Sequence, residues 1–244
     1  MTHRKTNISY LDEFLEGGLK KNTITLFSAH PGVENAPFAY HILNHSLGEG
    51  ESAVYVTNSK GVNAVEEDMR CNGLDVSDYK DSGKLLFVDA YSGLIRKDSP
   101  EKHHPENAKS IESITSSIKD ALAELKDNHT IVVYDSVSTL IDHLGPESIE
   151  AFEGWKSIFA ENNATGVFLF TEWPYPNDVI SRLKHLSDAV IQLSAVEKKA
   201  IQQKYLTVLK ANWASKLKKE FKLPFNIMRH GLVVQEPRDI AGTR

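Results

Sequence analysis

Cysteine is almost missing from these 244 residues, with Cys71 standing alone. No intramolecular disulfide can form, and no cysteine set for a metal cluster exists. Neither sign of charge dominates, because the net charge is only −5. That removes any global electrostatic case for nucleic acid or membrane as a partner. Long apolar runs are lacking too: no segment approaches the roughly 20 apolar residues that span a bilayer. The opening MTHRKTNISYLDEF carries no apolar stretch of the kind a secretory signal needs. A cytoplasmic address is therefore expected. There is no internal repeat, low-complexity tract or linker, so one domain over residues 1–244 is expected, with its core at about 8–235. A G-x-S-x-G elbow is also missing, which leaves a serine hydrolase without support.

The remaining composition, 41% hydrophobic and 25% charged, is that of an ordinary soluble globular protein. Short β-rich runs alternate with helical patterns, the signature of βαβ units and a parallel sheet. Strands are predicted at Thr23–Ala29, Ala53–Thr57, Lys84–Asp89, Thr130–Asp135 and Gly166–Thr171. Helices are predicted from Phe38 to Gly48, over Asn63–Asn72, Ala108–Lys126, Ile149–Phe159 and Asp178–Leu186. The stretch 92–107 lacks periodicity, holds two prolines and reads as a long exposed loop containing His103 and His104. Four short strands then follow at Ala189–Leu193, Lys204–Ala211, Phe225–Met228 and Gly231–Gln235, with no room for crossover helices. They predict an antiparallel extension on the sheet edge.

The order of these pieces resembles the RecA-like ATPases, most closely the KaiC-like branch common in archaea. The resemblance is carried by Leu11–Leu19 before the first strand, the loop Ser28–Asn35, Asp135-Ser136, Thr171-Glu172, and the closing Leu223–Ile227 with His230–Val234. It covers about the whole chain and implies an α/β fold, a mostly parallel twisted sheet flanked by helices with antiparallel C-terminal strands.

The resemblance places a phosphate-binding loop at SAHPGVENAP. In the pattern G-x-x-x-x-G-K-[ST], backbone amides cradle phosphates, the lysine neutralises them and the hydroxyl holds Mg²⁺. Here Ala29 takes the first glycine position, His30, Pro31, Gly32 and Val33 fill the loop, Glu34 replaces the second glycine, Asn35 the lysine and Ala36 the hydroxyl residue. The helix start still favours an anion, and Glu34 itself is available as one. The glutamate pair expected after the second strand reads Ser59-Lys60, and the Lys-x-Arg expected on a late strand reads Lys210-Ala211-Asn212. Asp135, Ser136 and Glu172 persist at strand ends. A plainer reading makes Asp135-Ser136 a polar strand end capping a turn into Val137–Ile141.

Other features are weaker. His41 and His45 share a helical spacing but have no further ligands, so surface histidines are expected. Cys71 reads as an inert small apolar residue. Residues 197–229 hold nine lysines and arginines against two glutamates. Solvated edge strands explain this, or else a surface for an acidic partner or nucleic acid at Lys216, Lys218, Lys219 and Lys222, with Trp213 and Phe221 to stack. The resulting expectation is a non-catalytic pseudo-ATPase, without cofactor, working through a protein partner or self-association and without membrane contact. Two alternatives stand beside it: an atypical ATP-binding ATPase or nucleotide sensor with ATP and Mg²⁺, and a nucleic-acid-binding accessory protein.

Overall fold

The structure, a computed structural model, describes residues 2–125, 129–198, 201–215, 221–228, 231–236 and 238–239. At the N-terminus β1 (His3–Arg4) pairs antiparallel with β2 (Leu19–Lys20) around the short helix α1 (Leu11–Phe14). Gly18 is at φ +107°, and a Cβ there would lie 2.1 Å from the Arg4 carbonyl oxygen. Only glycine lets the two backbones pass so closely.

The chain then alternates as expected: β3 (Ile24–Ala29), α2 (Ala36–Gly48), β4 (Ser52–Thr57), α3 (Val62–Cys71), α4 (Ser77–Asp81), β5 (Leu85–Asp89), α5 (Tyr91–Leu94), α6 (Ile111–Glu124) and β6 (Thr130–Asp135). It continues through α7 (Val137–Leu144), a 3₁₀ turn at Pro146–Glu150, α8 (Ala151–Glu161), β7 (Ala164–Thr171) and α9 (Asn177–Leu186). The last strands are β8 (Ala189–Lys198), β9 (Ile201–Ala211), β10 (Phe221–Met228), β11 (Gly231–Val234) and β12 (Arg238–Asp239).

Among the described residues these strands build a 10-stranded sheet in the order β11-β10-β9-β8-β3-β7-β6-β4-β5, with β12 also on β10. From β8 to β5 the pairing is parallel, and from β8 to β11 it is antiparallel. Every residue of β3, β4 and β6 is buried, because helices cover both faces. Alternate side chains feed two cores. Ile131 and Val133 meet α2 and α3 on one face, while Val132 and Tyr134 meet α6 to α9 on the other. At the centre of the second core Phe168 packs 4.9 Å from Phe152, edge to face, 5.4 Å from Tyr134 and 5.7 Å from Trp155. Two residues earlier Gly166 leaves the space these rings need, since a Cβ there would approach Phe159 to 2.9 Å.

Four sequence expectations change. Val137–Leu144, not predicted as an element, is a helix, and Ser136 caps it as the plainer reading has it, its hydroxyl accepting from the Thr139 amide. The antiparallel strands β8 and β9 are not short; they form a hairpin of 10 and 11 residues. The stretch 92–107 is not uniformly exposed, since His103, Pro105 and the following Ala108 are buried. His103 bridges in parallel to Val88 and pairs with Glu124, and Ser99 donates to Asp89, which fastens the stretch to the edge of β5. The unpaired side of an edge strand gains from such a cover. Cys71 is exposed on α3.

Just ahead of β6, His129 sits buried between Asn163 and Thr165. Burial, with Arg4 and Lys21 nearby, pulls its pKa from 6.5 down to about 4, against a hydrogen bond to Asn163. The unfolded chain therefore takes up a proton near pH 6.5 that the folded chain refuses until about pH 4. Stability from this group is full above the unfolded value and is lost as pH falls through that window. Allowing for partial solvation, the loss is about 2 kcal/mol. Chemical unfolding of His129→Gln across that range is expected to show a flatter pH profile than the parent; parallel profiles would refute this.

Candidate functional site

The parallel strands β3, β7, β6 and β4 are neighbours, so their carboxyl ends lie along one edge of the sheet. Register sets Ala29 beside Thr171 and Asp135 beside both Leu169 and Thr57. In open α/β sheets this edge is where ligands bind. The loop His30–Asn35, Glu172, Asp135-Ser136 and Asn58–Lys60 all emerge there.

The loop is held by its backbone. The His30 amide donates to the Leu193 carbonyl at 2.9 Å, and the Val33 amide donates back to His30 at 3.0 Å. Gly32 takes φ +84°, with open space where a Cβ would stand, and Pro31 beside it is exposed. Asn35 is the N-cap residue of α2 but makes no side-chain cap bond. Its amide instead donates to the Phe170 carbonyl at 3.2 Å, tying the loop to β7. Ala29 is fully buried at the end of β3, and Ala36 opens α2 with Pro37 behind it. Neither alanine brings an oxygen that a metal would need.

The Glu34 carboxylate is engaged within the chain. It accepts from Lys204 on β9 at 2.5 Å. Burial pushes its pKa up, but Lys204 and its own backbone amide outweigh this and hold it below the usual carboxylate range. Glu172 is similarly matched: Ser28 donates to it at 2.6 Å, Lys184 of α9 pairs at 2.6 Å, and His30 stands 3.9 Å away. These partners overcome burial and keep it ionised below its usual value. Each acid beside the loop thus has its own cation from within the chain.

Asp135 is buried, with Tyr55 donating to Oδ2 at 2.8 Å and Ser59 to Oδ1 at 3.1 Å. Burial drives its carboxyl above the ordinary range, against Tyr55, Lys60 and Ser59. The Ser136 amide donates to Asn58 Oδ1 at 2.5 Å, and the Asn58 amide donates to the Asp135 carbonyl at 2.9 Å. Strands β4 and β6 are therefore laced together at the site.

Among the sequence-predicted residues, Ala29, His30, Pro31, Gly32, Val33, Glu34, Asn35, Ala36, Glu172, Asp135 and Ser136 share this edge. Lys210 does not join them. It lies opposite Val190, which is level with Leu26, and its ammonium donates to the carbonyls of Lys184, His185 and Ser187, closing the C-terminal end of α9. Lys222 on β10 stands 5.8 Å from the Tyr205 ring centre, while Lys216, Lys218 and Lys219 lie outside the described residues. Trp213 is half-buried, with its indole N–H donating to the Leu15 carbonyl at 2.9 Å and its ring 6.2 Å from that of His3. His41 bonds the Asn7 carbonyl, and among the described residues no group of three or more His, Cys, Asp or Glu could hold a metal.

Sequence reasoning missed Lys204, Lys184, Tyr40, Tyr55 and Asn58. Lys204 and Lys184 carried no local signal, since their partners lie far away along the chain. Asn58 alone was findable, as a polar residue directly after a buried strand.

A family model described as "ATPase: KaiC" matches residues 4–239. The chain belongs to the KaiC family. Its relatives include a UPF0273 protein of Pyrococcus furiosus, 26% identical over 235 residues that cover 94% of this chain and 92% of the relative. A UPF0273 protein of Pyrococcus horikoshii is 29% identical over 171 residues, covering 69% and 68% of the two chains. The crystal structure of a KaiC-like protein from Pyrococcus horikoshii superposes with a TM-score of 0.73 at 22% identity, over 96% of this chain and 99% of the other. The KaiC-family fold is thus shown by sequence and architecture alike. No helix among the described residues is long and apolar enough to cross a membrane.

Proposed function

We propose that this KaiC-family chain is a pseudo-ATPase that acts through protein contacts, as a regulatory or scaffolding component. The observation that carries the reading is that the groups facing the phosphate position are engaged within the chain: Glu34 by Lys204, Asn35 by the Phe170 carbonyl, and Asp135 by Tyr55 and Ser59. The donor set does not fit Mg·ATP. Ala36 offers no hydroxyl for Mg²⁺, Asn35 carries no charge for phosphate, and Glu34 sets an anion beside it. Ser59 and Lys60 supply no carboxylate to activate water. At the same edge Trp173, 48% exposed next to Glu172, gives a protein partner an apolar anchor. Isothermal calorimetry of the purified chain with Mg·ATP is expected to show no heat of binding. Micromolar binding that disappears in Asp135→Ala would overturn the reading.

A further inference from the structure

Asp135 raises a problem that its immediate hydrogen bonds do not solve. A carboxylate this deeply buried needs a counter-charge, or the fold loses the interaction that keeps it in place. In an ATPase of this architecture a divalent cation would share that duty, and the residues here do not fit one. Each oxygen of Asp135 already accepts from one hydroxyl, that of Tyr55 or Ser59, and Ala36 has no side-chain oxygen to offer across the loop.

A cation from the chain itself stands in the same neighbourhood. Lys60 follows β4 and leads into α3, where its ammonium pairs with Asp68. The ammonium also donates to the Tyr40 hydroxyl at 3.4 Å. Tyr40 is buried in α2, its ring 6.3 Å from that of Tyr55, whose hydroxyl reaches Asp135. Lys60, Tyr40, Tyr55 and Asp135 therefore run as one polar seam through an otherwise apolar core. They tie together α2, α3, β4 and β6. The field of Lys60 favours the ionised form of Asp135, and the field of Asp135 favours the charged form of Lys60. Lys60 thus stands between two carboxylates: Asp68 at the surface end, half exposed and screened by water, and Asp135 inside, where nothing screens it.

We propose that Lys60 is the built-in counter-charge of this centre: with Tyr40 and Tyr55 it holds Asp135 in the way a divalent cation would, and so closes the centre to metal. The proposal rests on the reading that the chain does not take Mg·ATP. It goes further in naming the residue that makes the metal unnecessary.

The experiment uses the full chain and Mn²⁺ alone, without nucleotide, so that its result is separate from ATP calorimetry. Three variants are compared with the parent: Lys60→Met, Asp135→Asn, and the two combined. Lys60→Met keeps the length of the stem but removes the charge, and is expected to lower the midpoint of thermal unfolding by about 4–8 °C. Adding Asp135→Asn removes the orphaned carboxylate and is expected to recover at least half of that loss. Strictly additive losses would overturn the proposal, because independent residues do not rescue one another. Mn²⁺, followed by its paramagnetic effect on the protein's NMR resonances, is expected to leave the parent unchanged at submillimolar concentrations. Lys60→Met is expected to gain at least about tenfold in Mn²⁺ affinity, and the double variant to lose that gain. Submillimolar binding by the parent that Asp135→Asn abolishes would overturn the proposal. That arm decides the matter even if Lys60→Met does not fold.

Discussion

Restoring two loop residues together, Glu34→Gly with Asn35→Lys, is expected to tighten ATP binding by about two to nearly four orders of magnitude. Two effects contribute to the gain. Regaining the lysine supplies charge-assisted hydrogen bonds to phosphate of about 1.5–3 kcal/mol. Removing Glu34 relieves a repulsion of about 4 kcal/mol for unit charges 4 Å apart at an effective dielectric of about 20. That second figure must be cut by at least half, since Glu34 is 57% exposed and already paired with Lys204. The sum, about 3–5 kcal/mol, corresponds to the stated gain in affinity. Glu34→Gly also frees the Lys204 ammonium beside the loop, which adds in the same direction. The gain is expected with ATP in the absence of Mg²⁺, and hydrolysis is not expected, because Ser59 and Lys60 still provide no general base. Calorimetry on the double variant checks this. An unchanged isotherm would mean that the loop backbone, and not only its side chains, has left the phosphate-binding shape.

The second large effect lies in the core beneath the site. Phe168→Ala is expected to cost about 3–5 kcal/mol of folding stability, the range for deleting a buried aromatic ring. Phe168 is fully buried and touches Tyr134, Phe152, Trp155 and Phe159 within one cluster. The glycine at 166 is fitted to that ring, so neighbouring atoms have little room to collapse into the cavity. Thermal unfolding should fall by about 10 °C for a chain of this size. Urea denaturation with an unchanged slope would place the loss in the native state. A loss below about 1 kcal/mol would show that the cluster is looser than the ring distances state.

Most of the fold was legible because burial on both faces writes itself into sequence. Runs such as Ile131–Tyr134 and Val167–Phe170 have no alternative home. The helix Val137–Leu144 was harder to read, since it follows β6 after a single residue and its apolar content merges with the strand. Ser136 as cap was its one signal. The full length of the β8–β9 hairpin was also hidden, because beyond Leu193 the strands leave the core and turn polar, so hydrophobic pattern no longer marks them.

The site was legible only as a set of replacements. That Ala29, Glu34, Asn35 and Ala36 depart from the phosphate-loop pattern can be read from residue types. What these side chains do instead depends on partners 170, 135 and 80 positions away, for Glu34–Lys204, Asn35–Phe170 and Tyr55–Asp135. Such contacts follow from strand order and register, which no local pattern states. Glu34, which the sequence offers only as an available anion beside the helix start, takes a partner from a distant strand for this reason. An ammonium on β9, set by the pairing of Lys204 with Ala195, offers a stronger partner than the partial charge of a helix end.

The three tryptophans of this chain occupy three environments. Trp155 is sealed in the aromatic core at 1% exposure, Trp173 stands 48% exposed beside the loop, and Trp213 is half-buried with its indole on the Leu15 carbonyl. The molecule therefore carries its own optical gauges. Emission from Trp155 lies toward the blue and holds until the second core melts. Red-shifted emission from Trp173, open to soluble quenchers, reports whatever covers the loop edge. Trp213 answers to the detachment of the N-terminal segment. Keeping one indole at a time, with phenylalanine in place of the other two, turns a single excitation wavelength into separate readings of core, site and terminus.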